Sequence, residues 1–212
     1  MTISAMTRSG LLAGALLVAT SLAPTSGNSQ ETKSAIFAGG CFWCVESDFD
    51  EIDGVVETVS GYIGGTLENP GYREVSAGGT GHYEAVKITY DPAKVTYDAL
   101  LTAFWHSVDP TDAGGQFCDR GESYLTAIFA TDEAQLEKAE ATKAEIAKDL
   151  GADIATPVLK APTFYPAEDY HQDYYTKNPV RYKYYRYSCG RNARIKDLWG
   201  DKAFLGIKDQ MG

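Results

Sequence analysis

Hydrophobic positions change their period several times along the chain, and each change marks an element. "SAIFAGG" (34–40) is a short apolar run ended by two glycines, which predicts a buried strand and a turn. "CFWCVESDFDEI" follows at helical spacing and places Cys41 and Cys44 one turn apart at a helix start. "GVVETVSGYIGG" alternates as a strand does, "GHYEAVKITYDP" more clearly, and "TYDALLTAFWHSV" is amphipathic with Leu100, Leu101, Phe104 and Val108 on one side. Residues 109–122 read as loop and "SYLTAIFAT" as a further strand. "EAQLEKAEATKAEIAKDL" reads as a helix capped by Thr131 or Asp132, closed by Gly151 and buried along Leu136, Ala139, Ile146 and Leu150. "TPVLKAPTFYPAEDYHQDYYTKNP" then gives a strand, a proline-punctuated loop and a short helix, and "VRYKYYRYSCGRNARIKDLWG" is an aromatic, basic tail. Two strands succeed one another between 54 and 90 with only a loop between them, which argues against a purely parallel sheet. The expected fold is α+β: a two-layer sandwich with a mixed, largely antiparallel sheet, flanking helices and a ferredoxin-like core.

Length and charge narrow this picture. The 212 residues, 44% of them apolar, suffice for one well-filled core. Arg8 precedes an apolar run from Leu11 to Ala23, and small polar residues follow, which is the order of a secretory signal peptide. The run is short for a permanent span, and nothing later approaches twenty apolar residues, so no stable membrane insertion is expected. The expected organisation is a signal peptide and start of linker over 1–29, then a single domain over 30–212, with its core at about 34–178 and a C-terminal extension at 179–212. The expected location is outside the cytoplasm, in a bacterial periplasm. A formal charge of -10 repels phosphate backbones and argues against nucleic acid as a partner. "RYKYYRY" reads as a packed helix with solvated basic residues.

An exported chain makes its four cysteines, Cys41, Cys44, Cys118 and Cys189, candidates for disulfides. Cys41 and Cys44 lie too close to close a useful structural loop, so that pair points to function. A helix start offers N–H groups without backbone partners, an environment expected to favour a thiolate at Cys41. Residues three apart on a helix have Cβ atoms about 5 to 6 Å apart, beyond disulfide range, so a bridge there needs local unwinding. No second C-x-x-C supplies further ligands, and no metal is expected. Two rivals remain at this level: a disulfide oxidoreductase of thioredoxin type, and a secreted binding module stapled by two structural disulfides.

The surrounding residues resemble the A-type peptide methionine sulfoxide reductases, in the subgroup that carries CFWC. The resemblance rests on "GGCFWCVE", "GVVETVSGYIGG", "NPGYREVSAGGTGHYEAVKITYDP", "LLTAFWHSVDPTD", "QFCDRGESYLTAIF" and "FYPAEDYHQDYYTKNP", in the family's order from about Ile36 to Tyr175. It implies that Cys41 attacks the sulfur of methionine S-sulfoxide and that Glu84 is the acid serving the departing oxygen. It implies too that Tyr72 and Tyr124 hydrogen-bond that oxygen, that Phe42 and Trp43 hold the S-methyl group, and that Asp119 binds or orients the substrate backbone. Cys41 is then left as a sulfenic acid, which a second thiol condenses to a disulfide. Cys44 is the expected resolver, with Cys189 as the alternative or as a second relay thiol, and Cys118 sits where a small residue is common. No cofactor is implied. The partners are oxidised proteins or peptides, free methionine sulfoxide included, and a thioredoxin-like reductant. The chemistry needs no imidazole, so His82 and His171 are expected to have structural hydrogen-bonding roles.

Overall fold

The computed structural model describes residues 1–3 and 31–208, so the signal-peptide expectation for 1–29 falls almost entirely outside the described residues. Among the described residues, eight strands and seven α-helices follow in order: β1 Lys33–Gly39, α1 Phe42–Asp50, β2 Val55–Ile63, α2 Tyr72–Ala77, β3 Tyr83–Tyr90, α3 Tyr97–Trp105, β4 Gly115–Gln116, β5 Asp119–Arg120, β6 Thr126–Ala130, α4 Glu133–Leu150, β7 Val158–Lys160, β8 Phe164–Pro166, α5 Tyr174–Lys177, α6 Pro179–Ser188 and α7 Arg191–Trp199. The main sheet has the order β7-β6-β1-β3-β2-β8. Every neighbouring pair is antiparallel except β6 and β7. Its four central strands, β6-β1-β3-β2, have the strand order of a ferredoxin-like core, the fold class expected for the chain.

Alternation along the strands explains the layers. Phe37 on β1 and Val86 and Ile88 on β3 face a core closed by Phe42, Val45 and Phe49 of α1 and by Leu100, Leu101 and Phe104 of α3. Ile36, Ala38, Ala85 and Phe129 form a smaller cluster on the opposite face. Asp132 caps α4 by accepting the Gln135 N–H at 2.8 Å, and Gly151 closes it in the left-handed conformation. Gln135, rather than Leu136, is the fully buried side chain at its start, because its amide donates to the Ser34 carbonyl of β1.

Several features depart from the sequence pattern: the segment between β2 and β3, expected as loop alone, carries the short helix α2, and the expected proline-punctuated loop carries β8, which pairs with β2 at the sheet edge. Residues 109–122 are not plain loop: β4 and β5 form a small hairpin, pinned by the buried Gln116 side chain, which accepts from Asp109 N–H and donates to Asp109 and Gly115 carbonyls. The basic tail forms α6 and α7, joined at Cys189–Gly190, with Gly190 at φ +73° making the corner. Arg181 and Lys183 of α6 are solvated, whereas Arg186 is buried. Cys189 is bonded to Cys118, which straps the corner of this tail to the hairpin.

Candidate active site

The turn after β1 brings the reactive end of α1 to the sheet. Gly40 takes φ +83°, and a Cβ there would stand 2.6 Å from that of Gln116, so only glycine passes the hairpin at this point. Cys41 is the N-cap of α1, with non-helical φ -51° and ψ 119°. The two cysteines therefore straddle the helix boundary rather than both sitting on the helix, and a bridge between them requires rotation at Cys41 instead of unwinding a formed turn. Both are unbonded and buried.

Cys41, Phe42, Trp43, Tyr72, Glu84, Asp119, Tyr124 and Tyr185 line one cavity of about 90 Å³. Seven of these were predicted from sequence. Cys44, also predicted, lies behind Cys41 among Tyr174 and Tyr182 and does not reach the cavity wall. Glu84 shares the helix-facing side of β3 with Val86 and Ile88, and is only 2% exposed. Its Oε2 accepts the Phe42 N–H, the first of α1, at 3.0 Å. Burial nevertheless dominates and pushes its carboxyl up to about 8, with Asp119 and Cys44 adding to the effect. At neutral pH Glu84 holds a proton.

This arrangement corrects the expectation for Cys41. The helix-start N–H that was to favour its thiolate serves Glu84 instead. Burial, the Cys44 sulfur and the acidic neighbours Glu84 and Asp119 push the Cys41 thiol well above its ordinary range. The thiol of Cys44 moves the other way, down to about 7, because Cys41 S–H donates to it and because Arg191 and Arg186 stand near, against the opposing effects of burial and Asp48. The reduced pair thus keeps its thiolate on the inner sulfur.

The remaining wall is aromatic and polar. Tyr72 and Tyr124 are hydrogen-bonded to each other, and burial and Glu84 raise both hydroxyls, which stay protonated donors. Tyr72 starts α2, and its backbone N–H donates to Glu168 Oε1 at 2.9 Å, while Glu168 Oε2 accepts from Tyr62. Tyr124 ends the 3-10 turn of Glu122–Tyr124, which is tied to the α2 loop because Glu122 Oε1 accepts from Gly79 and Gly81. Trp43 stacks on Tyr174 at 3.6 Å and donates its indole N–H to His171 Nδ1 at 3.0 Å. His171 is buried against Phe42 and Tyr72 as well, and burial lowers its pKa, so it is a neutral brace for the aromatic wall. His82 donates to Leu67 O and accepts from Gly65 N–H, a loop-holding role away from the cavity. Sequence reasoning missed Tyr185, whose hydroxyl donates to Asp119 Oδ2. It is one of 14 tyrosines and lies outside every matched motif, so no local signal separates it. Burial raises the Asp119 carboxyl, while that hydrogen bond and Arg191 oppose the rise.

A buried thiol pair, a protonated carboxyl and two phenol donors around a cavity of this size define a thiol-dependent oxidoreductase whose oxidised substrate loses an oxygen atom as water. Residues 33–203 match the family model described as peptide methionine sulfoxide reductase. The chain is 50% identical over 197 residues to "Peptide methionine sulfoxide reductase MsrA 2" of Rhizobium meliloti, covering 93% of this chain and 98% of that one. Among solved structures it is similar to reduced Mxr1 from Saccharomyces cerevisiae, with TM-score 0.68, 31% identity, and coverage of 72% of this chain and 88% of the other. Mxr1 in complex with Trx2 also matches, with TM-score 0.50, 25% identity, and coverage of 69% and 87%. The chain belongs to the A-type peptide methionine sulfoxide reductase family, and its activity is the reduction of methionine sulfoxide.

Proposed function

We propose that the chain reduces the S epimer of methionine sulfoxide, in proteins and as the free amino acid, through a Cys41 sulfenic acid and a Cys41–Cys44 disulfide. The observation that carries this reading is the juxtaposition, in one cavity, of the Cys41 thiol and a Glu84 carboxyl that keeps its proton near neutrality.

The proton inventory of the reduced site suits the reaction. Cys41 S–H and Glu84 hold one proton each, and Cys44 carries the negative charge. As the Cys41 sulfur attacks the sulfoxide sulfur, its proton passes to Cys44, and Glu84 protonates the sulfoxide oxygen. Oxygen moves to Cys41 as a sulfenic acid, and methionine leaves reduced. Tyr72 and Tyr124 donate to that oxygen as its charge develops, and Asp119 orients the substrate backbone. Phe42 and Trp43 give the S-methyl group an apolar seat. The Cys44 sulfur then attacks the sulfenic sulfur, an S–S bond forms as the S–O bond breaks, and hydroxide takes the Cys44 proton and departs as water. The two protons first held by Cys41 and Glu84 leave with the oxygen.

A cavity of about 90 Å³ is well below the roughly 300–1,000 Å³ of pockets that enclose whole small ligands, so it accepts the sulfoxide head while the peptide lies outside. This supports oxidised proteins as substrates alongside the free amino acid. Cys44 is favoured over Cys189 as resolver because Cys189 is already bonded to Cys118, whereas Cys44 is unbonded and hydrogen-bonded to Cys41. A thioredoxin-like protein restores the thiols, a role suggested by the Mxr1 complex with Trx2. Residues 30–212 act as one catalytic unit without metal or organic cofactor. The order of Arg8, the apolar run and the small polar residues supports export to the periplasm. Among the described residues no helix is long and apolar enough to cross a membrane. A donor there would be a local thioredoxin-like protein; amino-terminal sequencing of the periplasmic form tests the location, and an uncut chain confined to the cytoplasm would contradict it.

Turnover of the two sulfoxide epimers in a peptide tests the chemistry. Cys41→Ser should have no activity, and Cys44→Ser should release about one equivalent of methionine yet lose recycling by a thioredoxin-like donor. Normal recycling by Cys44→Ser together with its loss in Cys189→Ser would reassign the resolver, and equal rates on both epimers would refute the stereochemical reading.

A further inference from the structure

Three side chains of metal-ligating type meet where the tail crosses the hairpin. Cys118 precedes β5, Asp119 begins it, and Cys189 caps the end of α6. One atom from each, two sulfurs and a carboxylate oxygen, all lie within 4.8 Å of one another. Asp119 Oδ2 stands 3.8 Å from Cys189 Sγ, and the Cys118 N–H donates to that sulfur at 3.1 Å. The Tyr185 hydroxyl holds the same carboxylate oxygen in place. In the disulfide form the sulfurs are spent on each other.

This bond is open to reduction. Cys118 is exposed and Cys189 half-buried, whereas Cys41 and Cys44 are buried. A protein dithiol of the thioredoxin class can approach the outer pair from solvent. It breaks the Cys118–Cys189 bond as its own disulfide forms, and two electrons and two protons pass to the two sulfurs. What remains is a pair of thiols beside a carboxylate, the ligand chemistry of a tetrahedral Zn²⁺ centre with one position open. Bonds of about 2.3 Å to sulfur and 2.1 Å to oxygen place the two ligand atoms about 3.6 Å apart around such an ion, close to the 3.8 Å between Cys189 Sγ and Asp119 Oδ2. The N–H at Cys189 favours its thiolate, and the Tyr185 hydroxyl supplies the outer hydrogen bond that fixes a ligating carboxylate.

We infer that Cys118, Asp119 and Cys189 become a Zn²⁺ site when their disulfide is reduced, and that the ion withdraws Asp119 from the cavity wall. Binding displaces the two thiol protons, and water fills the fourth position. Two thiolates and a carboxylate around a divalent ion leave one negative charge, and Arg191 is the cation already acting on Asp119. The ion takes no part in turnover. It lowers affinity for substrate, because Asp119 lines the cavity beside Cys41. That consequence rests on the substrate-orienting role proposed for Asp119, whereas the metal site itself does not.

The test is titration of Co²⁺, the coloured stand-in for Zn²⁺, into the full chain carrying Cys41→Ser and Cys44→Ser, so that the inner pair supplies no sulfur. With the outer disulfide intact, no thiolate–Co²⁺ absorbance should appear. After reduction and anaerobic removal of the reductant, about one Co²⁺ per chain should bind with the intense visible bands of tetrahedral thiolate coordination, and Zn²⁺ should displace it. Adding Cys118→Ser or Cys189→Ser should abolish those bands. Tyr185→Phe should weaken binding by about 10-fold and Asp119→Asn by about 100-fold or more. The strap is open in every chain compared, so lost stapling does not separate them. Equal Co²⁺ binding before and after reduction, bands that survive either serine variant, or full affinity in Asp119→Asn would overturn the inference. In the reduced parent enzyme, assayed with a phosphine reductant, Zn²⁺ should raise KM for a sulfoxide peptide several-fold, and Cys189→Ser should lose that rise. Metal binding as expected with KM unchanged would refute the role given to Asp119 in orienting substrate and leave the metal site standing.

Discussion

Glu84 is the residue whose environment does most to define the chemistry. A carboxyl that is 2% exposed and accepts a single N–H from Phe42 retains its proton up to about pH 8. In the unfolded chain it titrates near 4.5, so the native state binds one more proton than the unfolded state between those values. Its contribution therefore lowers stability as pH rises through that window, by up to about 1.4 kcal/mol per pH unit. Glu84→Gln should remove that share of the slope in denaturation measured at a series of pH values. The same substitution should slow methionine release in a single turnover by about 10²- to 10⁴-fold, the usual worth of a positioned acid. For the parent enzyme, single-turnover rates should fall above pH 8 as Glu84 ionises and below pH 7 as Cys44 gains its proton. A rate that keeps rising to pH 9 would show that the acid is not Glu84. At this scale the motif revealed which residues come together in one cavity, Tyr185 excepted, but the protonation pattern was not legible. Helix position alone favoured a Cys41 thiolate. The structure assigns the charge to Cys44, because Glu84 occupies the helix-start N–H and the arginines come from a segment outside the matched motifs.

The elements were largely legible because apolar periodicity is strong in β1, β3, α3 and α4, and the glycines and caps fall at their ends. The β4–β5 hairpin and the course of the tail were not. Two-residue strands carry no period, and the tail's burial depends on charges that satisfy each other only after α6 and α7 meet α1. Gly40→Ala would force a side chain into the left-handed region and against Gln116, and should cost more than about 1 kcal/mol in chemical denaturation while displacing Cys41 and reducing activity. The Cys118–Cys189 bond closes a sequence separation of 71, and loss of such a loop removes up to about 4 kcal/mol. Cys118→Ser should lower the denaturation midpoint and raise KM more than it lowers kcat, since Asp119 lies beside the lost bond and Tyr185 one turn before Cys189. An unchanged KM would mean that the strap has no part in shaping the cavity.

Taken whole, the molecule is an acidic body with a small reactive opening. The formal charge of -10 should steer positively charged peptides toward it. A methionine sulfoxide peptide flanked by lysines should show several-fold higher kcat/KM than one flanked by glutamates at low salt, and the gap should narrow at physiological ionic strength. The ferredoxin-like centre contributes rigidity: β3 presents Glu84, the turn after β1 presents Cys41, and the tail closes over the back of the pair. The central claim is that oxygen leaves through Cys41 and that the Cys41–Cys44 dithiol supplies the two electrons, ending as an internal disulfide. Its most direct test is mass spectrometry of the enzyme with only Cys41 and Cys44 reduced, quenched after one equivalent of the S epimer. The account predicts that the peptide containing both cysteines loses two hydrogens as an internal disulfide while the Cys118–Cys189 bond is unchanged. A Cys41 cross-link to Cys118 or Cys189 in its place would contradict it.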